Sequence, residues 1–139
     1  LPAAVAAKLA DPEKTVLCFA GDGCFQMTGL EFGTAAQEGA NIIVVVVDNA
    51  MYGTIRMHQE RDYPGRVTGT ALRNPDFAAL ARAYGGHGET VVRTEEFAPA
   101  FTRAQNAGRP AIIHVKIDPE ALTPTRTLSE IRAAGKPRR

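Results

Sequence analysis

NIIVVVVD, residues 41–48, is a run of β-branched side chains with no polar alternation. A strand with one wet face alternates apolar and polar residues, whereas a strand covered on both faces does not. The run therefore reads as a central parallel strand packed between helices. Upstream, TVLCFA (15–20) reads as a second strand, buried on both faces. Between them TGLEFGTAAQEG (28–39) reads as a helix, with Thr28 as its cap and Gly39 as its stop. Strand, helix, strand over 15–48 makes a crossover, and such units are right-handed with parallel strands.

Working outward, the same alternation continues. PAAVAAKLA (2–10) is alanine-rich with a proline in its first turn, a helix signature. NAMYGTIRMHQERDYPGRVTGT, from Asn49, is polar and long, as expected of a functional loop holding a short helix. NPDFAALARAYG (74–85) predicts a helix with Asn74 as cap, Pro75 at its first position and Gly85 beyond its end. HGETVVR reads as a short strand, and TEEFAPAFTRAQNAG (94–108) as a helix capped by Thr94 with Pro99 inside it. PAIIHVKID (110–118) is the last strand, and the polar, basic segment after it holds one short helix. The whole predicts an α/β domain, an open, mostly parallel sheet with helices on both faces.

Composition narrows the function. A chain of 139 residues suffices for one domain with a core, and a net charge of +1 offers no field for nucleic acid or an anionic membrane. Aromatic residues are 6% of the chain and tryptophan is absent, too few for a base-stacking platform. The longest apolar run is too short to span a bilayer, and no secretory signal pattern is present. The two cysteines, Cys18 and Cys24, have no metal-ligand spacing and read as reduced thiols of a cytoplasmic protein. The opening LPAAVAAKLA starts in helical rhythm without methionine, and we expect residues 1–139 to be part of a larger chain.

In open parallel sheets, ligands bind beyond the carboxyl ends of the strands. Two polar clusters fall there: GDG (21–23) after the first strand and DNAMYG (48–53) after the second. Either alone is an ordinary turn. Together they put Asp22 and Asn49 one crossover apart, on strand ends about 5 Å apart if adjacent, or about 10 Å with one strand between. A carboxylate, a carboxamide oxygen and a backbone carbonyl are hard donors of the kind magnesium takes, with a diphosphate supplying the remaining oxygens. Gly21 and Gly23 allow close backbone approach to a phosphate, and the helix opening near Thr28 offers amides to an anion. A dinucleotide site is disfavoured, because position 26 is Gln where GxGxxG needs glycine.

With these blocks in view, GDGCFQMTGLEF…NIIVVVVDNAMYG resembles the thiamine-diphosphate signature, and LPAA, FQM and NPDFAALARAYG resemble its acetolactate synthase-like branch. The resemblance implies a carboxyl-terminal thiamine-diphosphate- and magnesium-binding domain. It makes Asp22, Asn49 and the Met51 carbonyl the magnesium ligands. Amides around Gly23 and Cys24 would bind the diphosphate, and Tyr52 and Gly53 would line the loop closing over it. Three positions depart from the pattern: Asp48 stands where the family has Asn, Cys24 where it has Ser, and Leu30, before the matching Glu31, where it has Gln. The intact protein would decarboxylate a 2-oxo acid and transfer the acyl carbanion, as a homodimer or homotetramer joined through its cofactor-site domains. The family's activating glutamate lies on another domain, so no catalytic residue is assigned here and the chain alone is expected to be inactive. Alternatives are a benzoylformate, glyoxylate, oxalyl-coenzyme A or sulfoacetaldehyde type of thiamine-diphosphate enzyme, or a non-catalytic phosphate-binding module.

His58, His87 and His114 form no metal triad; His114, in an apolar strand, reads as a core or pairing residue, while His58 and Arg56 sit in the functional loop. The terminal GKPRR is basic but is expected to be a disordered end rather than a binding arm.

Overall fold

The computed structural model describes residues 1–135, so GKPRR beyond its glycine lies outside the described residues. Along the chain come α1 (Pro2–Ala10), β1 (Leu17–Gly21), α2 (Asp22–Thr28), α3 (Glu31–Gln37), β2 (Ile43–Asp48), α4 (Gly53–Asp62), α5 (Phe77–Ala83), β3 (His87–Val91), α6 (Thr94–Gln105), β4 (Ala111–Lys116) and α7 (Leu128–Ala134). They divide into two compact units, one of residues 1–48 and 74–116, the other of residues 49–73 with the segment from Ile117.

The first unit is the predicted open parallel sheet, with strand order β1-β2-β4-β3 and every pairing parallel. Its register sets Leu17 beside Ile43 and Ile43 beside Ala111, so the carboxyl ends of β1, β2 and β4 share one edge. Successive side chains of β2 point to opposite faces. Val44 and Val46 join Phe25, Phe32, Phe77 and Ile112 in a core under α1, α2, α3 and α5. Ile43 joins Val91, Ala100, Ala104 and Ile113 in a second core under α6. Residues 42–46 of the run are therefore buried, with side chains to both faces, as its lack of alternation requires.

Several expectations need correction. TVLCFA is not buried on both faces: β1 is an edge strand, with Leu17 42% and Phe19 69% exposed. Leu17 and Phe19 share the face of Ile43 and Val45, where the α6 core stops short of β1. Thr28 caps nothing; it is the last residue of α2, and the helix starts six residues earlier, at Asp22. The helix predicted over 28–39 is the shorter α3, with Leu30 at its cap position, and it ends before Gly39 at positive φ, as expected; α2 before it is a helix the sequence reading does not contain. Asn74 is not the cap of α5, nor Pro75 its first residue; Asp76 caps it, accepting from the Ala79 amide at 3.0 Å. Thr94 is the first residue of α6 rather than its cap; Arg93 holds the cap position, and the Glu96 carboxylate accepts from the Arg93 and Val92 amides.

In the second unit, the expected loop contains a ten-residue helix, α4. Its Glu60 is fully buried and accepts two hydrogen bonds from the Arg132 guanidinium of α7, at 2.8 and 2.7 Å. Arg56 at 3.2 Å and the Gly65 amide at 3.0 Å complete the shell. These donors, Arg132 first, hold the Glu60 carboxyl down at about 2 against the opposing effect of burial. Arg56 is thus a structural partner of Glu60 within α4. Thr127 and Glu130 cap α7 reciprocally. Among the described residues, no helix is long and apolar enough to cross a membrane.

Candidate functional site

Asp22 follows the last residue of β1 and opens α2, so strand end and helix start meet at one buried carboxylate, 3% exposed. Its Oδ1 accepts from the Gly23 amide at 2.9 Å and its Oδ2 from Asn74 Nδ2 at 2.6 Å. Burial pushes the Asp22 carboxyl above its ordinary value; the Asn74 and Gly23 hydrogen bonds pull it down, and neighbouring Asp48 adds to the rise. Gly21 has open space where a side chain would stand, so nothing in the chain fills the approach to the backbone there. Gly23 and Cys24 lie in the first turn of α2, where amides lack intrahelical acceptors; that of Gly23 is taken by Asp22. The Cys24 side chain is exposed.

Asp48 ends β2 on the same face as Val44 and Val46, beside Lys116 in the register. It is buried, and its Oδ2 lies 2.7 Å from His114 Nε2 and 2.6 Å from Lys116 Nζ. Its Oδ1 accepts from Asn74 Nδ2 at 2.7 Å. A carboxylate only accepts, so His114 carries its proton on Nε2. The His114 ring packs edge-on against Phe77, with centroids 4.9 Å apart, and its buried Nδ1 has no hydrogen-bond partner among the described residues. His114 is thus a core residue and a pairing residue at once. Position 48, the departure seen in sequence, is balanced by two neighbours on β4.

In the second unit, Asn49 and Met51 share one turn. The Met51 amide donates to Asn49 Oδ1 at 3.2 Å, and Ala50 between them takes a positive φ of 57°. A bridge from Met51 to Ala71 and the Tyr52 amide on the Thr70 carbonyl at 2.9 Å hold the turn. Gly53 opens α4, and a Cβ there would lie 2.9 Å from both Asn49 Nδ2 and a Leu122 methyl. Glycine at 53 is what lets the Asn49 carboxamide lie against the start of the helix. Tyr52 is partly exposed, and His58 is exposed on α4.

Sequence reasoning missed Asn74. Its Asn-Pro-Asp context offers two residues fit to cap a helix, and only the structure shows that Asp76 takes the cap and frees the Asn74 amide for the sheet edge.

Residues 1–115 match the family model of the thiamine pyrophosphate enzyme, C-terminal TPP binding domain. The chain belongs to this family. It is 39% identical over 119 residues to the acetolactate synthase isozyme 2 large subunit of Escherichia coli (strain K12), covering 85% of this chain and 22% of that protein. It is also 39% identical over 127 residues to the acetolactate synthase large subunit of Corynebacterium glutamicum, covering 87% of this chain and 20% of that one. The crystal structure of benzoylformate decarboxylase from Polynucleobacter necessarius superposes with a TM-score of 0.76 at 28% identity, over 87% of this chain and 23% of that one. This thiamine pyrophosphate-binding domain therefore spans about a fifth of the length of the relatives it matches.

Proposed function

We propose that this domain holds the diphosphate of thiamine diphosphate through magnesium, within a larger acetolactate synthase-like enzyme acting on a 2-oxo acid. The observation that carries the reading is the buried Asp22 carboxylate at the carboxyl edge of a parallel sheet, inside GDG. No group of three or more His, Cys, Asp or Glu side chains suited to a metal occurs among the described residues. The proposed donors are of another kind: the Asp22 carboxylate, the Asn49 carboxamide oxygen and the Met51 carbonyl. One charge and two neutral oxygens suit a cation that takes its remaining ligands from phosphates and water. Open space over Gly21 suits a ligand lying against the backbone.

When bound, the cofactor supplies an electron sink for breaking the bond beside a 2-oxo group. The chain's own part is to bind and orient. Asp22 and the Asn49–Met51 turn fix the cation, the amides around Cys24 in the first turn of α2, next to the Gly23 amide that Asp22 holds, serve the diphosphate, and Tyr52 and Gly53 border it. Identities of 39% to two acetolactate synthase large subunits over most of this chain favour that branch of the family. We place the site in a homo-oligomer of the full-length protein, with the activating carboxylate and the substrate pocket outside this chain.

Calorimetric titration of the full-length protein tests this. Thiamine diphosphate binds only with magnesium present, and Asp22→Ala abolishes the binding. Equal binding without metal, or preference for NAD, would overturn the reading.

A further inference from the structure

We propose that Asn74 is a positioning residue for Asp22, with Asp48 as the fixed post against which it is braced. The inference rests on the magnesium reading above and extends it to residues that would not touch the ion. The Asn74 amide group has two N–H bonds and spends them on two different carboxylates, Asp22 at 2.6 Å and Asp48 at 2.7 Å. Its carbonyl oxygen accepts from Gln26 Nε2 at 2.9 Å. All three contacts agree on one orientation, since turning the amide over would aim its oxygen at two carboxylates.

The bridge solves an electrostatic problem. Two carboxylates close together repel, and a neutral double donor between them offsets part of that repulsion with two charge-assisted hydrogen bonds. Asp48 cannot yield to the pull, because buried His114 and the Lys116 ammonium hold its other oxygen. Asp22 is then the part that is set. With Asn74 on one oxygen and the Gly23 amide on the other, the plane of its carboxylate is fixed while each oxygen keeps a lone-pair direction for a cation. Partners behind a ligand carboxylate raise metal affinity in this way. Pro75 adds rigidity by restricting the backbone of Asn74.

The test is Mn²⁺ binding to the full-length protein at saturating thiamine diphosphate, with free Mn²⁺ read by electron paramagnetic resonance. Asn74→Asp keeps the shape and turns the double donor into an acceptor; it weakens Mn²⁺ binding about tenfold or more. Asn74→Ala, which adds no charge, weakens it in the same direction and serves if the aspartate variant does not fold. Gln26→Leu, at an exposed position, removes only the orienting contact and gives a smaller loss. Melting of the metal-free, cofactor-free protein separates positioning from mere stability. Val91→Ala, in the other core, lowers the melting temperature and leaves Mn²⁺ affinity unchanged. The positioning role is overturned if folded Asn74 variants bind Mn²⁺ within about twofold of the parent, or if Val91→Ala weakens Mn²⁺ as much as they do. If Asp22→Ala itself leaves Mn²⁺ binding intact, the magnesium reading falls; if Asp22→Ala abolishes it and Asn74→Asp does not, only the bridge falls.

Discussion

Phe32 and Glu60 are equally shut off from water, and each stands for its unit. Phe32 lies in a core of aromatic and branched side chains beneath a parallel sheet. Glu60 is a carboxylate, ringed by Arg132, Arg56 and the Gly65 amide. Among the described residues of that second unit, Leu128 and Ile131 are the hydrophobic residues buried to a comparable degree. Burial of hydrocarbon is non-directional and rises with area, whereas a buried ion pair is stable only while both partners remain charged and in place. One unit is thus held by quantity and the other by a particular set of contacts.

The largest expected effect tests the first half of that contrast. Phe32→Ala empties a fully buried site and costs about 4 kcal/mol. Denaturant unfolding followed by hydrogen exchange shows the loss in β2 and β4 amides. A loss below about 1 kcal/mol would mean that the core collapses around the gap and is looser than its burial implies.

Acid tests the second half, at a slightly smaller magnitude. The folded carboxyl of Glu60 is depressed from 4.5 to about 2. Its stabilisation is therefore complete above its ordinary value and disappears as pH falls through the window down to about 2, removing about 3 kcal/mol. Amides of α4 and α7 lose protection there, and a Glu60→Gln protein, lacking that titration, shows no matching pH-dependent step. The same acid step in both proteins would assign it to other carboxylates.

Smallest is Gly53→Ala, expected to cost about 1 kcal/mol or less, because the new methyl meets only the ends of the Asn49 and Leu122 side chains, which must shift to admit it. It sharpens the comparison by striking the second unit through packing rather than charge. Thermal melting gives the cost; an unchanged melting temperature would mean that the Asn49 side chain moves aside freely.

The difference between the units also explains what could be read in advance. Val44, Val46, Ile112 and their neighbours announce a two-sided parallel strand because apolar burial leaves a local, repetitive trace. The placement of GDG and DNAMYG at strand ends follows from the same trace, since Asp22 and Asp48 directly follow or close those strands. The start of α2 was not legible, because two glycines beside an aspartate look like a turn whether or not a helix follows. Exposure of Phe19 was missed for another reason: an apolar strand at a sheet edge has the same composition as one at the centre. Hydrogen-bond partners left still less signal. Asn74 reaches residues 52 and 26 positions away, and Arg132 reaches Glu60 across 72 positions. Nothing periodic links such positions, so a lone polar residue in a plausible cap site was read as a cap.

Asp48 ties two donors of β4, His114 and Lys116, to the sheet edge, and that tie constrains what position 48 can hold. Exchanging Asp48 for asparagine leaves Asn74 an acceptor but deprives two donors of their anion. Lys116, 47% exposed, can turn into water; His114, 2% exposed at its side chain, cannot. His114 must therefore adjust in place: with its proton on Nδ1, its Nε2 accepts from the amide of an asparagine at 48, so the exchange is absorbed by a change of tautomer.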